Sequence, residues 1–379
     1  MAELATSLRV LSPNRVAEGT ASIPKVGGRE PGLDLLRALA VLMVVVFHLV
    51  VMSPITTPWI RDFAMAGQYG VDLFFVLSGW LIGGLYWRER ANFGDVEIGR
   101  FWMRRWIRTV PPYFVALALS YGGALIVRGD KFDIGYLLFL QNYYERLPYF
   151  LVSWSLCIEE HFYLLMPIAF LIMFRRSSPR AIAWAVFAIV AISPVARYFW
   201  FSGAKEDFGF SQTATHLRLD GIAIGVWLSF VAVQSPRLLD NCRPYASYAV
   251  GVSAAALALI EFSGARLNYT LWWTAISVLF AALLVWARTS DWSGVRLGAI
   301  ARGVALPSYS IYLTHPLALH IANTAVNGKN GVTAIILYSS IALPLVVAFA
   351  AAFYWVVERS SILIRDAVAP RRAPAPQRL

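Results

Sequence analysis

The sequence is poor in charge, in cysteine and in histidine. Charged side chains make up 15% of its 379 residues, against about a quarter in soluble domains. With 58% of residues apolar, that balance excludes a disordered or collagen-like chain and argues against an ordinary soluble enzyme. Two cysteines, Cys157 and Cys242, cannot build a disulfide framework. Neither they nor the histidines show metal-ligand spacing, so no metal is expected. No phosphate-binding Walker loop, dinucleotide fingerprint or GxSxG elbow is present, which argues against an ATP-driven pump.

What the chain does have is long apolar runs. A spanning helix needs ~20 apolar residues, and ten segments read that way: 33–53, 70–87, 110–127, 155–174, 181–200, 216–233, 246–262, 269–287, 304–322 and 333–357. The expected fold is therefore all-α, a polytopic membrane helical bundle of about ten transmembrane helices. The stretch GYLLFLQN at 135–142 is too short to span and reads as re-entrant or interfacial. Residues 1–30 are polar and lack a signal-peptide core; they read as a flexible cytoplasmic tail, 31–360 as the transmembrane domain, and 361–379 as a cytoplasmic C-terminal tail. With the N-terminus inside and sides alternating, 24 of the 33 basic residues fall on the cytoplasmic side. That bias predicts an N-in, C-in topology. The net charge of +11 is then mostly topology, and no nucleic-acid partner is expected.

Ionisable groups inside spans are costly and mark function by default. Asp34 and Arg37 open the first span, and His48 follows eleven residues after Arg37. Eleven steps of 100° bring the two within ~20° of one helix face, separated by a rise of ~16 Å. A snorkelling arginine and a packed histidine explain the pair as well as a function does, although imidazole is the side chain best suited to move a proton near neutral pH. In GVDLFFVLSGWLI (70–82), Asp72 lies near the outer end, and Ser78-Gly79 permits close helix approach. The segment FWMRRWIRTVPPYF (101–114) reads as a loop in which Arg104, Arg105 and Arg108 crowd a cytoplasmic entrance. Arg105 and Arg108 are three apart and point the same way on a helix. Guanidinium forks suit phosphate, and Trp102 and Trp106 can stack on a purine; a topology-setting basic loop on anionic lipid is the competing explanation. In SWSLCIEEHFYLLMP (153–167), Glu159, Glu160 and His161 sit near an outer mouth, suited to a hydroxylated acceptor or to an interfacial polar collar. His315 lies mid-span in SYSIYLTHPL (308–317), where it is placed either for function or to cap backbone freed by Pro316.

Together these pieces resemble the acyltransferase 3 family, the bacterial integral-membrane acyltransferases of surface and secreted glycans. The resemblance rests on Arg37-x10-His48, GVDLFFVLSGWLI, FWMRRWIRTVPPYF with Arg105-x-x-Arg108, WSLCIEEHFYLLMP, RLDGIAIG and SYSIYLTHPL. They run in family order over about residues 32–357. The likeness implies cytoplasmic acetyl-CoA, or another acyl-CoA, as donor and a carbohydrate or glycolipid hydroxyl as acceptor. It implies Arg37 and His48 as the central catalytic pair, a need for Arg105 and Arg108, functional positions at Ser78, Gly79 and Leu81, and an acidic position at Glu159. His161 departs from the pattern, where glutamine is frequent. Some family members carry a hydrolase-like domain after the membrane part; none follows here, so the expectation is that the membrane domain or a separate protein completes delivery.

From these readings, Arg37, His48, Asp34 and Glu159 are the candidate catalytic residues. Arg104, Arg105, Arg108, Ser78 and Gly79 are candidates for the donor, and Asp72, Glu160 and His315 for the acceptor. His48 acts either as general base on the acceptor hydroxyl or as an acyl carrier. The expected location is the bacterial cytoplasmic (inner) membrane. A proton-coupled transporter or a flippase of a lipid-linked sugar is the alternative, although no internal repeat is visible. Oligomeric state is not legible.

Overall fold

The computed structural model of the chain describes residues 30–53, 57–174, 178–201, 209–290, 292, 297–326 and 331–372. The expected N-terminal tail up to residue 29, the last residues of the C-terminal tail, and Arg175, Arg176, Lys205, Arg296 and Lys329 lie outside the described residues. Every described secondary-structure element is helical. The long helices are α1 (Pro31–Val51), α2 (Pro58–Met65), α3 (Gly70–Phe93), α4 (Ile98–Arg128), α5 (Ser153–Phe174), α6 (Pro179–Trp200), α7 (Asp220–Gln234), α8 (Ala246–Glu261), α9 (Ala265–Thr289), α10 (Leu297–Ala305), α11 (Ser308–Ala325), α12 (Gly331–Phe353) and α13 (Arg359–Val368). A π turn over Tyr354–Glu358 joins α12 to α13, so the expected domain boundary at 360 falls inside a helix.

Each of the ten expected spans falls on a helix. Among the described residues, eight helices are long and apolar enough by themselves to cross a membrane. The other two expected spans correspond to α7 and α11. The first is apolar but has only 15 residues, a length of about 22 Å, and the second carries buried Ser310, Thr314 and His315. Both pack at the centre of the bundle, where neighbouring helices replace lipid and the demands on length and apolarity relax. By contrast, α8 turns Tyr248, Val252 and Leu259 outward at 70–74% exposure, a face suited to lipid.

The bundle is organised around α3. Its Gly79 and Gly83 meet Gly225 and Val226 of α7 with backbones in contact: a Cβ on Gly79 would overlap the Ile222 carbonyl, and one on Gly225 the Val76 carbonyl. Small residues four apart give membrane helices this close approach. Around that seam, Phe75, Trp87, Tyr113, Tyr163, Phe170 and Tyr312 form the largest core cluster. Leu36, Leu73, Leu77 and Leu284 form a second on the α1–α9 side.

The 101–114 segment, expected as a loop, is the first half of α4. Its Pro111-Pro112 remains inside the helix, which ends at Gly129 in the left-handed region; in a membrane chain, neighbouring helices can satisfy the carbonyls that proline frees. The 135–142 stretch forms two 3-10 turns with Tyr136, Gln141 and Asn142 fully buried. The Tyr113 hydroxyl donates to the Tyr136 carbonyl at 2.7 Å, and Gln141 donates to Tyr113 and Ser153. Irregular backbone is tolerated at depth only when protein groups satisfy it in this way.

Four segments gather at one end of the bundle. The start of α1 meets the end of α9, with Glu30 3.9 Å from Arg288. The α3–α4 turn meets the chain beyond α13, with Arg372 2.9 Å from Asp95. All four thus lie on one side, the side that the excess of basic residues leads one to expect in the cytoplasm.

A buried ion pair ties α6, α7 and α9 together. Arg197 is fully buried and donates to the carbonyls of Thr270 and Leu217, to Thr274 and to Asp220. Removing one partner of such a pair strands the other charge. Arg197→Ala is therefore expected to cost roughly 3–5 kcal/mol, read as a lower unfolding temperature of the purified protein. Unchanged unfolding would refute this reading of Arg197.

Candidate active site

A cavity of about 110 Å³ opens between α1, α3, α4, α5 and α11. Arg37, Arg105, Arg108 and Glu159 line it, so three guanidiniums face one carboxylate. Ser78, Thr109, Ser155, Tyr309 and Tyr312 add hydroxyls, and Phe74, Phe75 and Leu77 add apolar walls.

Arg105 is held in place by several contacts. Its guanidinium lies 3.2 Å from the Glu159 carboxylate and donates to the Tyr163 hydroxyl at 2.7 Å. The same guanidinium sits 4.1 Å from the centre of the Tyr163 ring. Tyr163 in turn donates to Glu159 at 2.7 Å and is hydrogen-bonded to Ser78. The Arg105 Nε–H remains buried without a partner. One turn further along α4, Arg108 has no hydrogen-bonded or ion-paired partner among the described residues. Among the described residues, Arg37 forms an ion pair with Asp34, at 3.6 Å. The cavity therefore presents uncommitted positive charge in a poorly hydrated setting, where an anion is strongly favoured.

The expectation that placed the arginines at a cytoplasmic entrance and Glu159 at an outer mouth is corrected here. They meet in one cavity because α5 starts beside the middle of α4, where Gln141 bonds both Tyr113 and Ser153, and the irregular stretch carrying Tyr136 and Tyr149 packs along the rest of α4. Glu160 is likewise inside the bundle: it accepts from Thr109 at 2.9 Å, and its second oxygen is buried without a partner. Arg104 turns away from the cavity, donating to the Ala369 carbonyl and lying 3.3 Å from Asp366. Trp102 and Trp106 stack on each other at 5.6 Å, and the Trp102 indole donates to the Tyr163 carbonyl. Gly79 lies in the α3–α7 seam, outside the cavity lining. Asp72 is 2% exposed and paired with Arg218 at 2.8 Å, under Trp273. The core thus occupies the Asp72 carboxylate expected to meet an acceptor.

His48 lies outside the cavity lining. It pairs with His315, whose Nε2 is 3.3 Å from His48 Nδ1. Tyr312 bridges the two places: its hydroxyl faces Ser155 at 2.6 Å on the cavity side, and its ring lies 6.0 Å from His315. Sequence reasoning did not single out Tyr163, Thr109 or Tyr309. The signal for Tyr163 was its position four residues after Glu159, on the same helix face.

The comparisons with known proteins decide the family. A family profile described as "Acyltransferase domain" matches residues 30–355. The chain belongs to the acyltransferase 3 family. Similar curated proteins include a "Putative O-acetyltransferase" of Staphylococcus aureus (strain COL), 30% identical over 218 residues. The "O-acetyltransferase OatA" of Staphylococcus aureus (strain NCTC 8325 / PS 47) is 29% identical over 222 residues. Each alignment covers 53% of this chain and 34% of the relative, so the chain matches about a third of each relative's length. No solved structure is detectably similar. Among the described residues, no group of His, Cys, Asp or Glu is arranged to hold a metal.

Proposed function

We propose that this acyltransferase moves an acyl group, acetyl in the first instance, from cytoplasmic acyl-CoA to a hydroxyl of a carbohydrate or glycolipid acceptor at the bacterial cytoplasmic membrane. The observation that carries the proposal is the arginine-lined cavity with Arg108 unpaired. Its volume of about 110 Å³ is several times that of one water site. That suits a phosphate-bearing part of the donor held by Arg37, Arg105 and Arg108, with the thioester arm reaching past Tyr312 towards His48.

His48 is the proposed base. It takes the proton of the acceptor hydroxyl as that oxygen attacks the thioester carbonyl carbon. The carbon–sulfur bond breaks, and the proton passes to the departing thiolate, giving ester and free CoA. Asp34 holds Arg37, while Glu159 and Tyr163 hold Arg105. Ser78 reaches the same group through Tyr163. Glu160 stands close enough to bias the cavity's charge through Thr109.

The test follows radiolabelled acetyl-CoA in membranes of cells expressing the chain. Label entering a glycan or glycolipid fraction only in the presence of the chain is the expected result. Label retained on the protein would replace the direct base by an acyl-histidine relay. No transfer from acetyl- or succinyl-CoA, with glycan added, would overturn the proposal in favour of transport.

A further inference from the structure

Two backbone carbonyls determine which nitrogens of the histidine pair carry protons. His48 Nδ1 lies 3.0 Å from the Val44 carbonyl oxygen, and His315 Nδ1 lies 3.0 Å from the Ile311 carbonyl oxygen. A carbonyl only accepts, so each Nδ1 bears the hydrogen of a neutral ring and each Nε2 keeps its lone pair. His315 Nε2 is 3.3 Å from His48 Nδ1. The His48 N–H is therefore shared between the Val44 carbonyl and the His315 lone pair.

We infer that His315 is the positioning residue of His48, holding it in the Nδ1–H tautomer and leaving Nε2 as the atom that takes the acceptor's proton. This rests on the acyl-transfer reading above. When Nε2 gains a proton, the new positive charge spreads to Nδ1–H, which already has two acceptors in place. No group has to reorganise at that moment, and this is where preorganised polar groups are most effective. The acceptor-binding role expected for His315 is thereby replaced. Its ring is fully buried, whereas His48 is only partly so, so of the two His48 is the ring a substrate can approach. The burial also argues against exchanging the roles. His315 is held on α11 by its own helix, with its aromatic neighbours Tyr312 and His48 closing the ring in.

The experiment compares His315→Leu and His315→Gln in membranes given radiolabelled acetyl-CoA. Nitrogen-15 spectra of histidine-labelled purified protein are recorded alongside, with His48→Ala to assign the His48 signal. His315→Leu should lower the saturating rate by roughly 10²-fold, within the ~10²–10⁴ that a positioned base supplies, with KM for acetyl-CoA unchanged. His315→Gln keeps an acceptor oxygen near the Nε2 position and should recover most of the rate. The wild-type spectrum should show His48 protonated at Nδ1 and bare at Nε2. The inference is overturned if glutamine is no better than leucine in folded protein, if leucine retains the full rate, or if His48 carries its proton on Nε2. Failure of the wild type to transfer label would instead overturn the acyl-transfer reading, and the spectrum would still report the pair.

Discussion

Replacing His48 with alanine is expected to lower acyl transfer by ~10²–10⁴-fold while acetyl-CoA binding stays unchanged. The two effects separate because the structure separates the groups. The cavity that would hold the donor is lined by Arg37, Arg105 and Arg108, and His48 is not among its lining residues. His48 meets His315, whose ring in turn lies 6.0 Å from that of Tyr312 on the cavity wall. Truncating it removes the lone pair that takes the proton and leaves the anion site intact. The change is also mild for the fold, since the lost contacts are one bond to its own helix and one to His315. The measurement is the transfer rate and the acetyl-CoA dissociation constant of the same preparation. A His48→Ala protein that transfers at the wild-type rate removes His48 from the chemistry. One that loses acetyl-CoA binding moves it into the donor site.

The second large effect contrasts Arg108 with Arg105. A charge-assisted hydrogen bond contributes about 1.5–3 kcal/mol, so Arg108→Ala should weaken acetyl-CoA binding by roughly ten- to a hundredfold. Arg108 has no hydrogen-bonded or ion-paired partner among the described residues, and the buried Glu358 carboxylate that feels its charge keeps its bond from Ser310, so its loss should cost less stability than the loss of Arg105. Arg105→Ala should weaken binding too, and should also destabilise the protein by roughly 3–5 kcal/mol, because Glu159 is left without its ion-pair partner. Removing both members with Arg105→Ala and Glu159→Ala should restore much of that stability and none of the binding. Titration with acetyl-CoA and thermal unfolding of the four proteins test both halves. Arg108→Ala binding as tightly as wild type, or unfolding as early as Arg105→Ala, would contradict the assignment.

Particular residues show where sequence reasoning stopped. The face shared by Arg105 and Arg108 was legible, because three residues apart on one helix is a local property, and both line the cavity. That Arg104 turns to Asp366 was not, since its partner lies 262 residues later. Asp72 looked available because its sequence neighbourhood holds no base; Arg218, brought to it across 146 residues, neutralises it. The glycine at 79 read as packing or as donor binding, and its place against the Ile222 carbonyl, which leaves no room for a Cβ, is a packing requirement that the sequence could not show.

The helical bundle itself is determined by the sequence. Long apolar runs leave the backbone no partner in lipid except its own helix, and the shared face of Arg37 and His48 with the rise between them follows from helix geometry. Which buried polar groups meet is decided only by the tertiary structure. Arg105 finds Glu159 and Tyr163, and His48 finds His315, because the glycine seam of α3 and α7 and the packing around it set which helices are neighbours. Periodicity reports the face of one helix, and a polar group in a water-poor interior is satisfied by whatever faces it from the next.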